Sequence, residues 1–187
     1  FLIFIILGTS AWSFGLQDYQ KERVLTFLDQ GRDPLGQGYN VTQSVIAIGS
    51  GGVFGRGLGF GSQSQLKFLP ESQTDFIFAV IAEELGLVGI GLILGLFAIV
   101  FWRLFKIAQR AHDDFSLFLV LGVSLLLFIQ VGMNAAMNLG MFPVTGITLP
   151  FLSYGASSLL VFLVLIGVAQ SIAMREVSSR LPIKEKF

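Results

Sequence analysis

Three acidic residues, Asp75, Glu83 and Glu84, lie in or at the edge of a long apolar stretch. A carboxylate inside a membrane is costly, so it is by default a candidate for function. Glu83 and Glu84 follow Asp75 by eight and nine positions, which puts them about 12 to 13 Å further along a helix that rises about 1.5 Å per residue. The helix dipole also favours an aspartate at a helix start, so Thr74 or Asp75 acting only as an N-cap is the plainer interpretation.

The two glutamates have no base close to them in the same stretch, since Arg103 and Lys106 stand at its far end. They are therefore protonated, or they pair with a base from a loop or from helices outside this chain. A structural ion pair between helices is the plainer interpretation of Glu83 and Glu84.

A glycine-rich run covers residues 49–61 and contains Arg56. No Gly-Lys-Ser/Thr sequence follows it and no βαβ context surrounds it, which excludes a Walker A loop and a Rossmann fingerprint. Such a run is able to present backbone N–H groups to an anion, and Arg56 would help to hold a pyrophosphate. We favour the alternative, in which the glycines only permit tight turns against the helices.

Gln130, Asn134 and Asn138 recur every four residues, so they share one face of a helix. Polar side chains in membrane helices hydrogen-bond to neighbouring helices. We therefore expect these three residues to have a structural or coupling role.

Residues 143–158 combine two prolines with several small hydroxyl residues at the end of an apolar stretch. Irregular backbone at membrane depth is tolerated where it is buried in protein or lines a cavity. Ser153 and Ser157 therefore either face such a cavity or belong to ordinary packing.

The composition places these residues in a membrane. Of 187 residues, 53% are hydrophobic and 13% are charged, whereas soluble domains carry roughly 25% charged residues. The formal net charge is zero, so nothing suggests bulk attraction to nucleic acid. The chain has no cysteine, which excludes disulfides and thiolate metal sites.

Four apolar stretches predict the elements that position the acidic residues. They cover residues 1–16, 76–102, 115–137 and 149–174. A membrane-spanning helix needs about 20 apolar residues, so the last three are long enough and the first is a partial span. The first also has no initiating Met, so we expect the chain to be the C-terminal part of a longer protein. The predicted fold class is an all-α integral membrane protein with about four transmembrane helices.

Basic residues fix the expected orientation, because basic loops stay in the cytoplasm. The connection after the second stretch and the C-terminal tail both carry bases, namely Arg103, Lys106, Arg110, Arg175, Arg180, Lys184 and Lys186. The connection at 138–148 carries no charge. We therefore expect residues 17–74 to form a long extracytoplasmic loop, and residues 75–187 to form three transmembrane helices with short loops and a cytoplasmic tail.

The loop at 17–74 is too long for a plain connection, and structureless loops above about 15 residues are uncommon and often functional. Its stretch at 39–48 mixes apolar and polar residues and predicts a short amphipathic helix on the membrane surface. A carboxylate at the outer membrane surface under such a loop fits two classes of protein. One is an enzyme acting on a lipid-linked substrate, and the other is a transporter or flippase.

Several motifs in order along the chain resemble the SEDS family of bacterial cell-wall proteins. They lie at residues 33–40, 43–44, 49–52, 69–71, 74–79, 83–86, 140–146, 149–151 and 153–155. The stretch at 18–29 resembles the elongation members of the family more than the division members. The resemblance covers nearly the whole chain.

This resemblance implies a protein of about ten helices, of which the chain is similar to the last four. It implies a peptidoglycan glycosyltransferase that polymerises lipid II with a class B penicillin-binding protein in the bacterial inner membrane. The essential aspartate of the family falls on Asp75, as the general base. The residues expected to bind substrate are Arg56, Lys67, Glu71, Thr74, Ser153, Tyr154 and Ser157. A divalent cation, Mg²⁺ or Mn²⁺, is a further candidate for balancing the negative charge of the leaving group.

Three alternatives remain open at this point. A lipid II flippase would make Glu83, Glu84 and the polar face around Asn134 the important residues. A division-type polymerase would keep the chemistry and change the cellular role. A protein that only docks or activates its penicillin-binding partner would leave Asp75 as a cap.

Overall fold

The computed structural model describes residues 17–29, 33, 36–66 and 68–180, with Ser64 and residues 176–180 described by their backbone alone. The described elements are helices: α1 (Asp18–Leu28), α2 (Gln37–Gly51), α3 (Ser62–Gln65), α4 (Ile77–Arg110), α5 (Asp114–Asn138) and α6 (Ala156–Arg180). Three of them, at Ile77–Arg110, Asp114–Asn138 and Ala156–Arg175, are long and apolar enough to cross a membrane. The predicted all-α membrane fold is confirmed, whereas the partial span at 1–16 lies outside the described residues.

Two predicted helix ends were wrong. Helix α4 continues to Arg110 instead of ending near residue 102, so Arg103, Lys106 and Arg110 lie on its last turns rather than in a connection. The Lys106 ammonium lies 3.8 Å from the centre of the Trp102 ring, one turn away, and this cation–π contact supports the extension.

The second wrong helix end is the start of α6, which begins at Ala156 and not near residue 149. Pro150 has no backbone N–H to donate, and Phe151 adopts a φ of 65° that a helix excludes. Residues 149–155 therefore form an irregular segment at the start of α6.

The three long helices pack side by side around one apolar cluster. Leu104 of α4, Val120 and Leu127 of α5, and Phe162 and Ala169 of α6 are all buried there. Residues 111–113 turn the chain from α4 into α5, and residues 139–155 lead from α5 to the start of α6 beside the Asp75 turn, where the Tyr154 N–H donates to the carbonyl of Gln73. Neighbouring helices therefore run in opposite directions. This places Arg103, Lys106, Arg110 and Arg175 at one end of the bundle and Asp75 at the other.

The described residues between 17 and 76 fold over the Asp75 end of the bundle. Helix α2 contains the stretch at 39–48 for which a helix was predicted, and that helix is confirmed. Ala47 of α2 is buried with Leu69, Phe76 and Ala79, which ties the loop to the start of α4. Its position on the membrane surface stays a prediction.

Helix α4 is interrupted at Gly86, where φ is 67° and ψ is −163°. The glycine-rich segment after α2 lies in this interruption and bonds to the backbone groups that the break frees. The N–H groups of Leu87 and Val88 donate to the carbonyls of Gly52 and Val53 at 3.0 and 3.1 Å. The carbonyls of Glu83 and Glu84 accept from the N–H groups of Arg56 and Gly57, both at 3.0 Å.

Glycine is required here because the two backbones touch. A Cβ at Gly51 would collide with the carbonyl oxygen of Ala82, and a Cβ at Gly55 would collide with that of Glu84. For Gly51 and Gly55 the interpretation that the glycines permit close turns against the helices is therefore confirmed, whereas anion binding by the run stays a prediction. The four backbone bonds satisfy polar groups that the break frees, as irregular backbone inside a membrane protein requires.

Alanine substitutions should separate backbone strain from collision. Gly55 and Gly59 have nearly the same φ, 77° and 76°, but only the Cβ at Gly55 meets backbone atoms. We expect Gly59→Ala to lower the free energy of unfolding by about 1 to 2 kcal/mol, the cost of the left-handed conformation. Gly55→Ala should cost about 1 to 3 kcal/mol more, the range for overpacking. Thermal unfolding of the full-length protein in detergent measures both, and equal losses would contradict the docked loop.

Candidate active site around Asp75

Asp75 lies in a tight turn that leads into α4. The N–H groups of Thr74, Asp75 and Phe76 all donate to the carbonyl oxygen of Glu71, at 3.1 to 3.2 Å. Glu71 itself has a φ of 54°, which lets its carbonyl face the three donors. The Thr74 hydroxyl donates to the Glu71 backbone oxygen at 3.2 Å and to its carboxylate at 2.8 Å.

The N-cap of α4 is Phe76, whose own side chain makes no capping hydrogen bond. The interpretation of Thr74 or Asp75 as a cap is therefore wrong. The Thr74 hydroxyl serves the turn, and the Asp75 carboxylate accepts no hydrogen bond from the described residues.

Three consecutive carbonyls before α4 are fixed by distant parts of the chain. The Tyr154 N–H donates to the carbonyl of Gln73 at 2.8 Å, and the Ser153 hydroxyl donates to that of Thr74 at 2.6 Å. The carbonyl of Asp75 accepts from both Asn134 and Asn138, each at 3.0 Å. The backbone of Asp75 is thus held between α5 and the segment that precedes α6.

Asn134 and Asn138 are fully buried in this arrangement. Asn134 also donates to the carbonyl of Ile147 at 2.7 Å, and Asn138 donates to that of Asn134 at 2.8 Å. The predicted bonding from this face of α5 to other elements is present for both asparagines. Gln130, on the same face, makes no hydrogen bond through its side chain to the part of the chain that the structure describes.

The Asp75 carboxylate is half-buried and lies beside Gly146. A Cβ built on Gly146 would stand 3.6 Å from Asp75 Oδ2. Burial raises the pKa of the Asp75 carboxyl above its ordinary value, the negative charge of Glu71 raises it further, and the positive charge of Arg23 opposes both. A carboxylate with a raised pKa and no hydrogen-bond partner is suited to accept a proton.

The residues predicted to bind substrate divide into two groups. Glu71 and Thr74 share the turn of Asp75. Ser153 supports this turn, because its buried hydroxyl donates to the carbonyl of Thr74 and accepts from the Leu149 N–H at 2.7 Å. These bonds give Ser153 a structural task, and its contact with substrate stays a prediction. Tyr154 and Ser157 are exposed next to this turn.

Arg56 lies near Glu83 instead of the Asp75 turn. Its guanidinium donates to the carbonyl of Ser50 at 3.3 Å and to the hydroxyl of Ser62 at 3.0 Å. The buried Glu83 carboxylate accepts from that hydroxyl at 3.3 Å and from the Gln63 N–H at 2.9 Å. Glu83 thereby holds the loop against α4, while the Glu84 side chain is half-buried. Lys67 lies outside the described residues.

Sequence reasoning did not single out Ser44 or Arg23 as functional residues. Ser44 of α2 is fully buried and donates to the backbone and side-chain oxygens of Asn138, at 2.8 and 3.3 Å. In the sequence, Ser44 could have been noticed as a polar residue on the same helix face as Val41 and Ala47, the face that α2 buries. The influence of Arg23 on Asp75 had no such signal, because the two residues are far apart in the sequence.

Serine substitutions should distinguish support of the turn from an exposed contact. Ser153→Ala leaves the Leu149 N–H and the Thr74 carbonyl without their partner, which should cost about 1 to 3 kcal/mol in the free energy of unfolding. Ser157→Ala is the control, since that hydroxyl is exposed, and it should change stability by less than about 0.5 kcal/mol. Thermal unfolding of both variants tests this, and equal melting temperatures would show that Ser153 does not support the turn.

Comparison with known proteins places this site in a family. Residues 1–178 match the model of the FtsW, RodA and SpoVE cell cycle proteins. The chain is 50% identical over 161 residues to the peptidoglycan glycosyltransferase MrdB of Escherichia coli K12, covering 86% of the chain and 44% of that protein. It is 48% identical over 157 residues to the stage V sporulation protein E of Bacillus subtilis 168, covering 83% of the chain and 42% of the relative.

A solved structure shares the fold. It belongs to a study of the structural coordination of polymerization and crosslinking by a peptidoglycan synthase complex. The TM-score is 0.69 at 38% identity, covering 94% of this chain and 47% of the other. The chain thus spans less than half the length of the relatives that it matches. By these matches the chain belongs to the FtsW, RodA and SpoVE family of cell cycle proteins, the SEDS family that its motifs resemble.

Proposed function

We propose that this protein is a peptidoglycan glycosyltransferase that polymerises lipid II into glycan strands, with Asp75 as its general base. The observation that carries the proposal is the hydrogen bonding of Asp75. Its backbone carbonyl is held by hydrogen bonds from the buried side chains of Asn134 and Asn138, while its carboxylate is left without a hydrogen-bond partner among the described residues. A relative that is 50% identical is named a peptidoglycan glycosyltransferase, which supports the same reaction for this protein.

The reaction needs a base at the membrane surface. The 4-hydroxyl of the acceptor GlcNAc attacks C1 of the donor MurNAc, and the new C1–O bond forms as the bond from C1 to the pyrophosphate breaks. The hydroxyl proton passes to the Asp75 carboxylate, and undecaprenyl pyrophosphate leaves with the bonding electron pair. A carboxyl with a raised pKa is a stronger base than an ordinary aspartate, so it lowers the barrier to this proton transfer.

The negative charge of the leaving pyrophosphate must also be balanced. Arg56 is an exposed cation held in place by Ser50 and Ser62, and Lys67 follows in the same loop. Mg²⁺ or Mn²⁺ is the other candidate. The described residues contain no group of three metal-binding side chains, but Mg²⁺ is commonly held by one or two carboxylates together with substrate phosphates.

The distribution of charge supports one orientation in the membrane. Arg103, Lys106, Arg110 and Arg175 lie at the end of the bundle away from Asp75, and basic ends face the cytoplasm. Asp75 then faces the outside of the bacterial inner membrane, where the sugars of lipid II would be presented, and the C-terminus is cytoplasmic. A class B penicillin-binding protein would crosslink the strands, and the stretch at 18–29 favours the elongation role over division.

The flippase alternative gains no specific support. Its central residues would be Glu83, Glu84 and the polar face of α5. Glu83 bonds to the loop, and Asn134 and Asn138 bond to the Asp75 backbone. These bonds hold elements together within the described part of the chain.

Asp75→Asn should abolish polymerisation while leaving the protein folded. Asparagine has nearly the same shape, but it does not accept the proton, and a general base contributes typically about 10² to 10⁴-fold in rate. The measurement is glycan formation from labelled lipid II by the full-length protein with its penicillin-binding partner. Asp114→Asn, at the opposite end of the bundle, is the matched control. Equal polymer from wild type and Asp75→Asn would place the chemistry elsewhere.

Glu71→Gln should shift the acid limb of the pH–rate profile to lower pH. The base must be deprotonated to act, so activity is lost as the pH falls through the pKa of Asp75. The charge of Glu71 raises that pKa, and glutamine removes the charge while keeping an oxygen that accepts from Thr74. Arg23→Gln should shift the acid limb the other way, since the charge of Arg23 lowers the pKa. Shifts of the same sign in both variants would refute the electrostatic assignment.

A further inference from the structure

The side chain of Asn138 occupies the place of a helical hydrogen bond. If α4 extended back to Asp75, the N–H of Ala79 would donate to the carbonyl of Asp75, four residues earlier. Instead, Asn138 Nδ2 donates to that carbonyl at 3.0 Å, and Asn138 Oδ1 accepts from the Ala79 N–H at 3.2 Å. The Ala79 N–H also donates to the carbonyl of Phe76 at 3.0 Å, so its hydrogen bond is shared between two acceptors, as is common in the first turn of a helix. One amide thus bridges the two groups that a longer helix would join directly.

The surrounding bonds fix which way this amide points. The carbonyl oxygens of Asp75 and Asn134 can only accept, so Nδ2 must face them, and the Ala79 N–H can only donate, so Oδ1 must face it. The Ser44 hydroxyl adds a further donor to Oδ1 at 3.3 Å. Ser44, Asn134 and Asn138 are all fully buried, and the bonds to the Asp75 carbonyl are partly buried.

We infer that Asn138 is a positioning residue that keeps Asp75 outside helix α4. The inference rests on the proposed function of Asp75. Without the amide, the carbonyl of Asp75 would keep only the bond from Asn134, and the N–H of Ala79 only the bond to the carbonyl of Phe76, so each would lose one partner. A direct bond between them would satisfy both and would draw Asp75 into an additional helical turn. Since each helical residue turns by about 100° about the axis, the carboxylate would leave its place beside Gly146.

Asn134 restrains the same carbonyl from another side. It connects the Asp75 carbonyl to that of Ile147, in the residue after Gly146. The two asparagines therefore fix both the turn that carries the carboxylate and the loop that the carboxylate faces. Asn138 is distinguished from Asn134 because it alone of the two also takes the Ala79 N–H.

The test compares Asn138→Ala with Gln130→Ala in the full-length protein, using labelled lipid II as substrate. Gln130 lies two turns earlier on the same face and outside this hydrogen-bond network, so its substitution controls for general loss of polarity in α5. For Asn138→Ala we expect kcat to fall by about 10²-fold, the effect of misplacing a reacting group by about 1 Å. We expect KM to stay within about twofold of wild type. We also expect the acid limb to move to lower pH, because the carboxylate leaves its half-buried place. Gln130→Ala should change none of the three.

Asn138→Asp keeps an acceptor for Ala79 and Ser44 but loses the donor to Asp75, so it tests the bridge if the alanine variant does not fold. An unchanged kcat and acid limb in a folded variant would overturn the inference. So would a loss of activity that matches the loss of folded protein, with the acid limb unmoved. Asp75→Asn is run in parallel. Normal polymerisation by that variant would refute Asp75 as the general base, whereas an inactive Asp75→Asn beside a normal Asn138→Ala would refute only the positioning role.

Discussion

The carbonyl oxygen of Asp75 accepts hydrogen bonds from two buried asparagines of α5, and the arrangement of the site depends on this shared contact. It fixes the point at which α4 begins, because the amide of Asn138 also takes the Ala79 N–H. It places the turn of Asp75 against the loop at 143–155, because Asn134 bonds to that loop as well. Since the amides hold the backbone, the carboxylate is left free for chemistry.

Glu83 in α4 and Asp75 in the turn before it have different roles because their surroundings differ. Glu83 is fully buried and bonded to Ser62 and Gln63, so its carboxylate holds the glycine-rich loop in the interruption at Gly86. Asp75 is half-buried, lies near the charge of Glu71, and accepts no hydrogen bond from the described residues. The same functional group therefore serves structure in one place and is available to accept a proton in the other. Such differences between environments commonly separate catalytic acids and bases from structural ones.

Much of the fold followed from local pattern, whereas the site depended on contacts between distant residues. Length and apolarity predicted the three long helices, and the four-residue spacing of Asn134 and Asn138 predicted a polar face. The break at Gly86 was not foreseen, because it requires the loop backbone to replace the bonds that the helix loses. The bridge made by Asn138 joins residues 59 and 63 positions apart, and no local pattern reports such a pairing. Asp75 itself was identified through a family motif, since composition alone left the cap interpretation open.

The most direct test of the account is a structure of the full-length protein, carrying Asp75→Asn, with lipid II in the donor and acceptor positions. The account predicts that the 4-hydroxyl of the acceptor GlcNAc lies about 2.6 to 3.2 Å from the side chain at position 75, within hydrogen-bond reach of a general base. A hydroxyl that instead faces another carboxylate, or that lies well beyond this distance with both sugars in place for reaction, would contradict the assignment of Asp75 as the base.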